Sequence, residues 1–130
     1  MATNNHWVGT WTASPAQSDA GIGFNNNTVR MHPRVSIGGD TLRVRVSNAY
    51  GNNPLAIGAA YVGIRDKGPA IVPGSERRLT FCGAESATIA TGALAISDSV
   101  QLKVSPLADL AVTIYLPGVI PPNFQITGRY

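Results

Sequence analysis

VSIGGDTLRVRVSN, residues 35–48, decides how the chain is read. From Leu42 onward, Leu42, Val44 and Val46 alternate with Arg43, Arg45 and Ser47. A period of two puts one set of side chains on a core and the other in water, which is the mark of a strand. Val35 and Ile37 keep the same parity, and Gly38, Gly39 and Asp40 lie between the two runs. Gly-Gly and Gly-Asp are favoured hairpin residues because they accept positive φ at low cost. A loop at Gly39-Asp40 pairs Ile37 with Leu42 and Val35 with Val44; a loop at Gly38-Gly39 pairs Val35 with Leu42. Either register buries the same side chains, so the stretch predicts a hairpin between strands over 28–37 and 41–47. Valine in place of Gly39 is then expected to destabilise the turn.

The same period extends outward. Val100, Leu102 and Val104 alternate with Gln101 and Lys103, and Leu110, Val112, Ile114 and Leu116 with Ala111, Thr113 and Tyr115. Further strands are expected over 7–12, 55–65, 78–82, 86–90 and 125–130. Within 55–65 the phase slips between Leu55 and Ile57 on one parity and Val62 and Ile64 on the other, which predicts a bulge near Gly58. Glycine and proline recur too often for helix, and no apolar period of 3.6 persists. The expected fold is all-β: one domain over 1–130, an antiparallel β-sandwich, jelly-roll-like, of about eight or nine short strands. PGVIPPN, 117–123, reads as a stiff linker.

A chain of 130 residues is long enough to bury a real core. Charged residues make up 13%, about half the usual share. Such a surface suits a secreted β-protein or a domain resting against a neighbour, and it favours a secreted or periplasmic setting over the cytoplasm. No signal peptide is visible at the start. Net charge is +3, with two lysines, Lys67 and Lys103, among ten basic residues and no basic run beyond two. That is too sparse a footprint for nucleic acid. No apolar stretch reaches membrane-spanning length. A single cysteine, Cys82, excludes an internal disulfide and is expected to be half-buried and inert.

Gly39-Asp40-Thr41 stands one hydroxyl residue away from the Gly-Asp-Ser that carries the nucleophile in one group of serine esterases. A hydroxyl nucleophile needs a base, an orienting acid and an oxyanion hole. That serine sits where a strand gives way to a helix, whereas Thr41 opens a strand. The two histidines, His6 and His32, lie in no Asp-x-x-His segment. No catalytic residue, metal site or cofactor is therefore expected.

The candidate ligand-binding residues are Trp7, Trp11, Arg34, Arg43 and Arg45. Trp7 and Trp11 share a face of a strand, as a platform for a sugar ring or as a cap on the core. Arg34, Arg43 and Arg45 share the outward face of the expected hairpin, where Arg34 opposes another arginine. They form either an anion-binding or docking face, or a solvated face screened by carboxylates of adjacent strands. Asn25-Asn26-Asn27-Thr28 contains an Asn-x-Thr sequon and reads as a polar loop.

WVGTWTASP (7–15), VSIGGDTLRVRVSNAYG (35–51), PLAIGAAYVGIR (54–65), IVPGSERRLTF (71–81) and ADLAVTIYLPG (108–118) resemble the N-terminal β-sandwich region of bacterial SGNH (GDSL-type) hydrolases. In that family this region precedes an α/β domain holding the serine nucleophile, the oxyanion-hole residues and the Asp-x-x-His pair. None of those positions falls within this chain. The resemblance implies an accessory domain, inactive alone, whose partner is a missing catalytic domain or another chain. Two rivals stand beside it: a free-standing carbohydrate-binding module and a protein-interaction sandwich.

Overall fold

The structure, a computed structural model, describes residues 7–12, 24–49, 53–120 and 127–129. It is all-β, and no helix occurs among the described residues. At the centre of the first layer is β10 (Leu110–Ile120), flanked by β1 (Phe24–Met31) and β5 (Ala59–Ile64), with β6 (Arg77–Arg78) beyond β5. Leu110, Val112, Ile114 and Leu116 point into the core as their alternation predicts. Ala111 and Thr113, on the other face, are buried too. Part of that cover is the long side chain of Arg30, whose Nε donates to Thr113 Oγ1 at 2.8 Å.

The second layer is built on residues 39–47. β2 (Gly39–Leu42) pairs with β9 (Val100–Val104), and β3 (Arg45–Ser47) pairs with β8 (Leu94–Ile96). Between these ladders Ser97 N–H donates to Val44 O, and Val44 N–H to Ser97 Oγ. Residues 39–47 thus run antiparallel to 94–104 along their length. β11 (Thr127–Arg129) pairs with the other edge of β3. β4 (Leu55–Ile57) pairs with β7 (Ala87–Ile89). Val44, Val46, Leu55, Ile57, Ile89, Leu102 and Val104 meet the inward residues of β5 and β10 in one core, so the layers form an antiparallel sandwich. Among the described residues there are eleven strands against the expected eight or nine: 41–47 and 55–65 each divide in two, β8 is additional, and the strand expected over 7–12 does not form.

The hairpin between 28–37 and 41–47 does not form. β1 belongs to β10, and the pairing continues past Met31 in the same register through the Arg34↔Asp109 bridge, so that residues 36–38 carry the chain from one layer to the other. Just before that crossing Val35 enters the core and its N–H donates to Ala108 O. Neither Gly38 nor Gly39 has positive φ. Gly38 is needed for proximity instead: a Cβ there would lie 2.2 Å from Val104 O and 2.9 Å from Pro106 N. At Gly39 the nearest atom to a Cβ is Thr41 O at 3.9 Å, so the strain expected of a valine there has no basis. Alternation had given the correct inward face of 41–47, but the partner is 94–104.

The phase slip at Gly58 marks a larger event than a bulge. The chain changes sheets there, leaving β4 for β5, and a Cβ on Gly58 would lie 2.7 Å from the Tyr115 ring. The first part of the expected linker, 117–120, is the end of β10, paired with β1 through Phe24↔Ile120 and Asn25↔Val119. The register shifts between Asn25 and Asn27. There Asn26 has φ 51° and its Oδ1 accepts from Gly118 N–H at 2.7 Å, so the sequon lies on a bulged strand and not in a loop. The rest of 117–123 lies outside the described residues.

Candidate functional site

A cleft of about 500 Å³ opens between the N-terminal segment and β2. Its floor is the core edge at Val35, Val104 and Leu110, and its walls include Trp7, Ile37, Asp40, Thr41 and Arg43. The N-terminal wall is fastened to residues 36 and 37. Thr10 Oγ1 donates to Ile37 O at 2.7 Å and accepts from Ile37 N–H at 2.8 Å, while Thr10 O accepts from Ser36 N–H and from Ser36 Oγ–H, each at 3.0 Å. From that anchor the segment runs back along β2 until the Trp7 ring meets the Arg43 guanidinium, 4.3 Å from the ring centroid. Such a cation–π contact contributes roughly 0.5–1 kcal/mol at an exposed site. Trp7, Val8 and Ile37 are 43%, 55% and 53% exposed, an apolar rim on a chain poor in charge.

Of the five candidate residues, two meet here. Trp7 and Arg43 line the cleft, and Trp11, Arg34 and Arg45 do not. Trp11 is half-buried. The three arginines share no hairpin face, because the hairpin is absent. Arg34 sits beside Asp109, with Nε donating to Oδ1 at 2.9 Å, and Arg65 approaches the same carboxylate at 3.6 Å. The hydrogen bond from Arg34, aided by the charges of Arg34 and Arg65, holds Asp109 below the ordinary carboxylate range. Arg34 is therefore paired with a carboxylate next to β10. Arg45 lies half-buried on β3, with Arg129 as its backbone partner across the ladder.

Thr41 is exposed on β2 opposite Gln101, and among the described residues its hydroxyl bonds to no imidazole or carboxylate. Asp40 beside it makes no ion pair among the described residues. No helix springs from Thr41. Cys82 is exposed rather than half-buried, at φ 53°. Its N–H and that of Gly83 donate to Asp98, which also accepts from Thr80 Oγ1 at 2.7 Å. No group of three potential metal ligands occurs among the described residues. Among the described residues no helix is long and apolar enough to cross a membrane.

No protein-family model matches the chain, and no curated protein matches it significantly.

Sequence reasoning named Trp7 and Arg43 but not their neighbours. Ile37 and Asp40 had been placed in a hairpin, which hid their role as walls of a cleft. The usable signal was an isoleucine, Ile37, left beside two glycines.

Proposed function

We propose that this chain is a non-catalytic β-sandwich accessory domain, similar to the N-terminal region of SGNH hydrolases, that flanks a catalytic domain it does not itself contain. The observation that carries this reading is the exposed apolar rim of Trp7, Val8 and Ile37 beside the cleft. A face of that kind, on a surface short of charge, suits contact with a neighbouring polypeptide. The lone hydroxyl of Thr41 gives supporting weight, since no base or orienting acid bonds to it among the described residues.

Peptide mapping of the protein as its source organism makes it tests the reading. The expected result is peptides beyond Tyr130 that carry a serine nucleophile and an Asp-x-x-His pair; a natural chain ending at Tyr130 overturns it. In a second assay, the isolated chain is expected to cleave p-nitrophenyl acetate no faster than its side chains do without saturation. Saturable turnover abolished by Thr41→Ala would refute the non-catalytic assignment.

A sugar-binding role is the alternative, favoured by an exposed indole at the rim of a cleft in the volume range of ligand pockets. Titration with soluble cello- and xylo-oligosaccharides, read by tryptophan fluorescence, separates the two. Saturable quenching lost in Trp7→Ala would favour the sugar.

A further inference from the structure

We propose that the open edge of β2 accepts an extended strand from a partner polypeptide, running antiparallel to Gly39–Leu42 and in line with β11. The inference deepens the docking reading above and rests on it for the presence of a polypeptide neighbour.

β2 is hydrogen-bonded on one edge, to β9. Among the described residues its other edge takes part in no ladder and no backbone hydrogen bond. Gly39, Asp40 and Thr41 are all exposed there. An uncovered edge of this kind is a template for strand addition unless it is blocked.

β11 supplies the direction. It occupies the same edge of the ribbon 39–47, with Thr127 opposite Ser47, Gly128 opposite Val46 and Arg129 opposite Arg45. An antiparallel strand continuing that register passes opposite Arg43, Leu42 and Thr41 in turn. That path enters the cleft, whose far wall is the segment held off by the Thr10–Ile37 hydrogen bonds.

The walls set the chemistry of the occupant. Ile37 and the floor at Val35 and Leu110 favour an apolar side chain on the inner face of the added strand. Arg43 stacks on the Trp7 ring and makes no ion pair among the described residues, so its guanidinium N–H groups are available to a carboxylate. The fitting segment alternates apolar and acidic residues.

A blocked valine–glutamate alternating hexapeptide, titrated into the isotope-labelled chain and followed by amide NMR, tests this. Saturable shifts confined to residues 37–43 and β11, with slowed amide exchange at Gly39–Leu42, are expected. The same peptide N-methylated at alternate amides is expected to bind about 25-fold more weakly, since it forgoes two backbone hydrogen bonds and each is a factor of about five. Arg43→Ala should weaken the valine–glutamate peptide and leave a valine–threonine peptide unaffected. Equal affinity of the N-methylated peptide, shifts centred on β8 instead, or no saturable shift would each overturn strand addition. Peptide mapping of the natural protein is independent of this titration, so failure of the accessory-domain reading would show there and not here.

Discussion

Replacing Gly38 by alanine probes the crossing between layers with one methyl group. The added Cβ would stand 2.2 Å from Val104 O and 2.9 Å from both Pro106 N and Ser105 C. The first distance is roughly 1 Å inside ordinary contact, and all three atoms are backbone, so no rotamer change relieves the overlap. Either the end of β9 moves away or residue 38 does, and both strain the neighbouring Gly39–Val104 pair. Overpacking of this kind costs about 1–3 kcal/mol, and a weakened ladder hydrogen bond adds about 1 kcal/mol. The expected loss is about 3 kcal/mol, a fall in Tm of roughly 10 °C for a domain of this size. Gly39→Ala is the matched control. Its Cβ meets nothing closer than Thr41 O at 3.9 Å, and its φ is ordinary, so the change should lie within about 1 kcal/mol of neutral. Thermal and urea unfolding, monitored by circular dichroism, measure both. Equal losses, or a larger loss at Gly39, would refute the close-approach account and restore a glycine turn at Gly39-Asp40.

Asp98 is held below the ordinary carboxylate range by the Gly83 N–H, the Thr80 hydroxyl and the Cys82 N–H, against a smaller opposing effect of burial. A depressed folded-state pKa stabilises at pH above the unfolded carboxylate value, and that stability is lost as pH falls through the folded value. Urea midpoints taken from neutral pH down to strong acid should therefore drop less steeply in Asp98→Asn than in the parent chain. Asn48 is fully buried and its side-chain amide donates to the carbonyls of Asn53, Ile89 and Ala90. Asn48→Asp turns that donor into an acceptor facing carbonyls and should cost about 3 kcal/mol or more by urea unfolding. Asp109→Asn removes the partner of Arg34 at an exposed site and should cost no more than about 1 kcal/mol in the same assay.

Strands with a clean apolar alternation were legible because burial of one face writes itself into the sequence. β9 and β10 show this, and so does the inward parity of Leu42, Val44 and Val46. The change of sheets at Gly58 left a phase slip that could be read, although not its size. What alternation cannot carry is the partner. The run 41–47 buries the same side chains against 94–104 as it would against 28–37, so the hydrophobic pattern is satisfied by either pairing. Glycine deepened the error, since a residue chosen for close approach to Val104 looks the same as one chosen for positive φ. β8 went unread because its middle residue, Ala95, points inward while Leu94 and Ile96 are exposed, the reverse of the expected pattern. Asn48 was invisible for a related reason: an asparagine after a strand reads as loop, and only the three carbonyls converging on it from 53, 89 and 90 require it. At the cleft, the residue types at Trp7 and Arg43 were suggestive. Their contact depends on Thr10 gripping Ile37, 27 positions along the chain, which no local pattern encodes.

Gly39-Asp40-Thr41 illustrates how little chemistry a tripeptide carries by itself. A hydroxyl gains nucleophilic power from a base within hydrogen-bond reach and from donors placed where negative charge will develop. Thr41 stands on a strand with Gln101 across from it, and Asp40 precedes it without a cation or imidazole between them among the described residues. The same three residues do have a consistent physical use. Gly39, Asp40 and Thr41 are exposed, and the ladder to β9 fixes them along a cleft edge. Those are the properties of a pairing surface. Gly39→Val should then leave folding intact and the edge still able to pair, because a strand side chain stands perpendicular to the hydrogen-bonding edge and valine is favoured in strands. Retained stability together with retained pairing is what a turn glycine would not show.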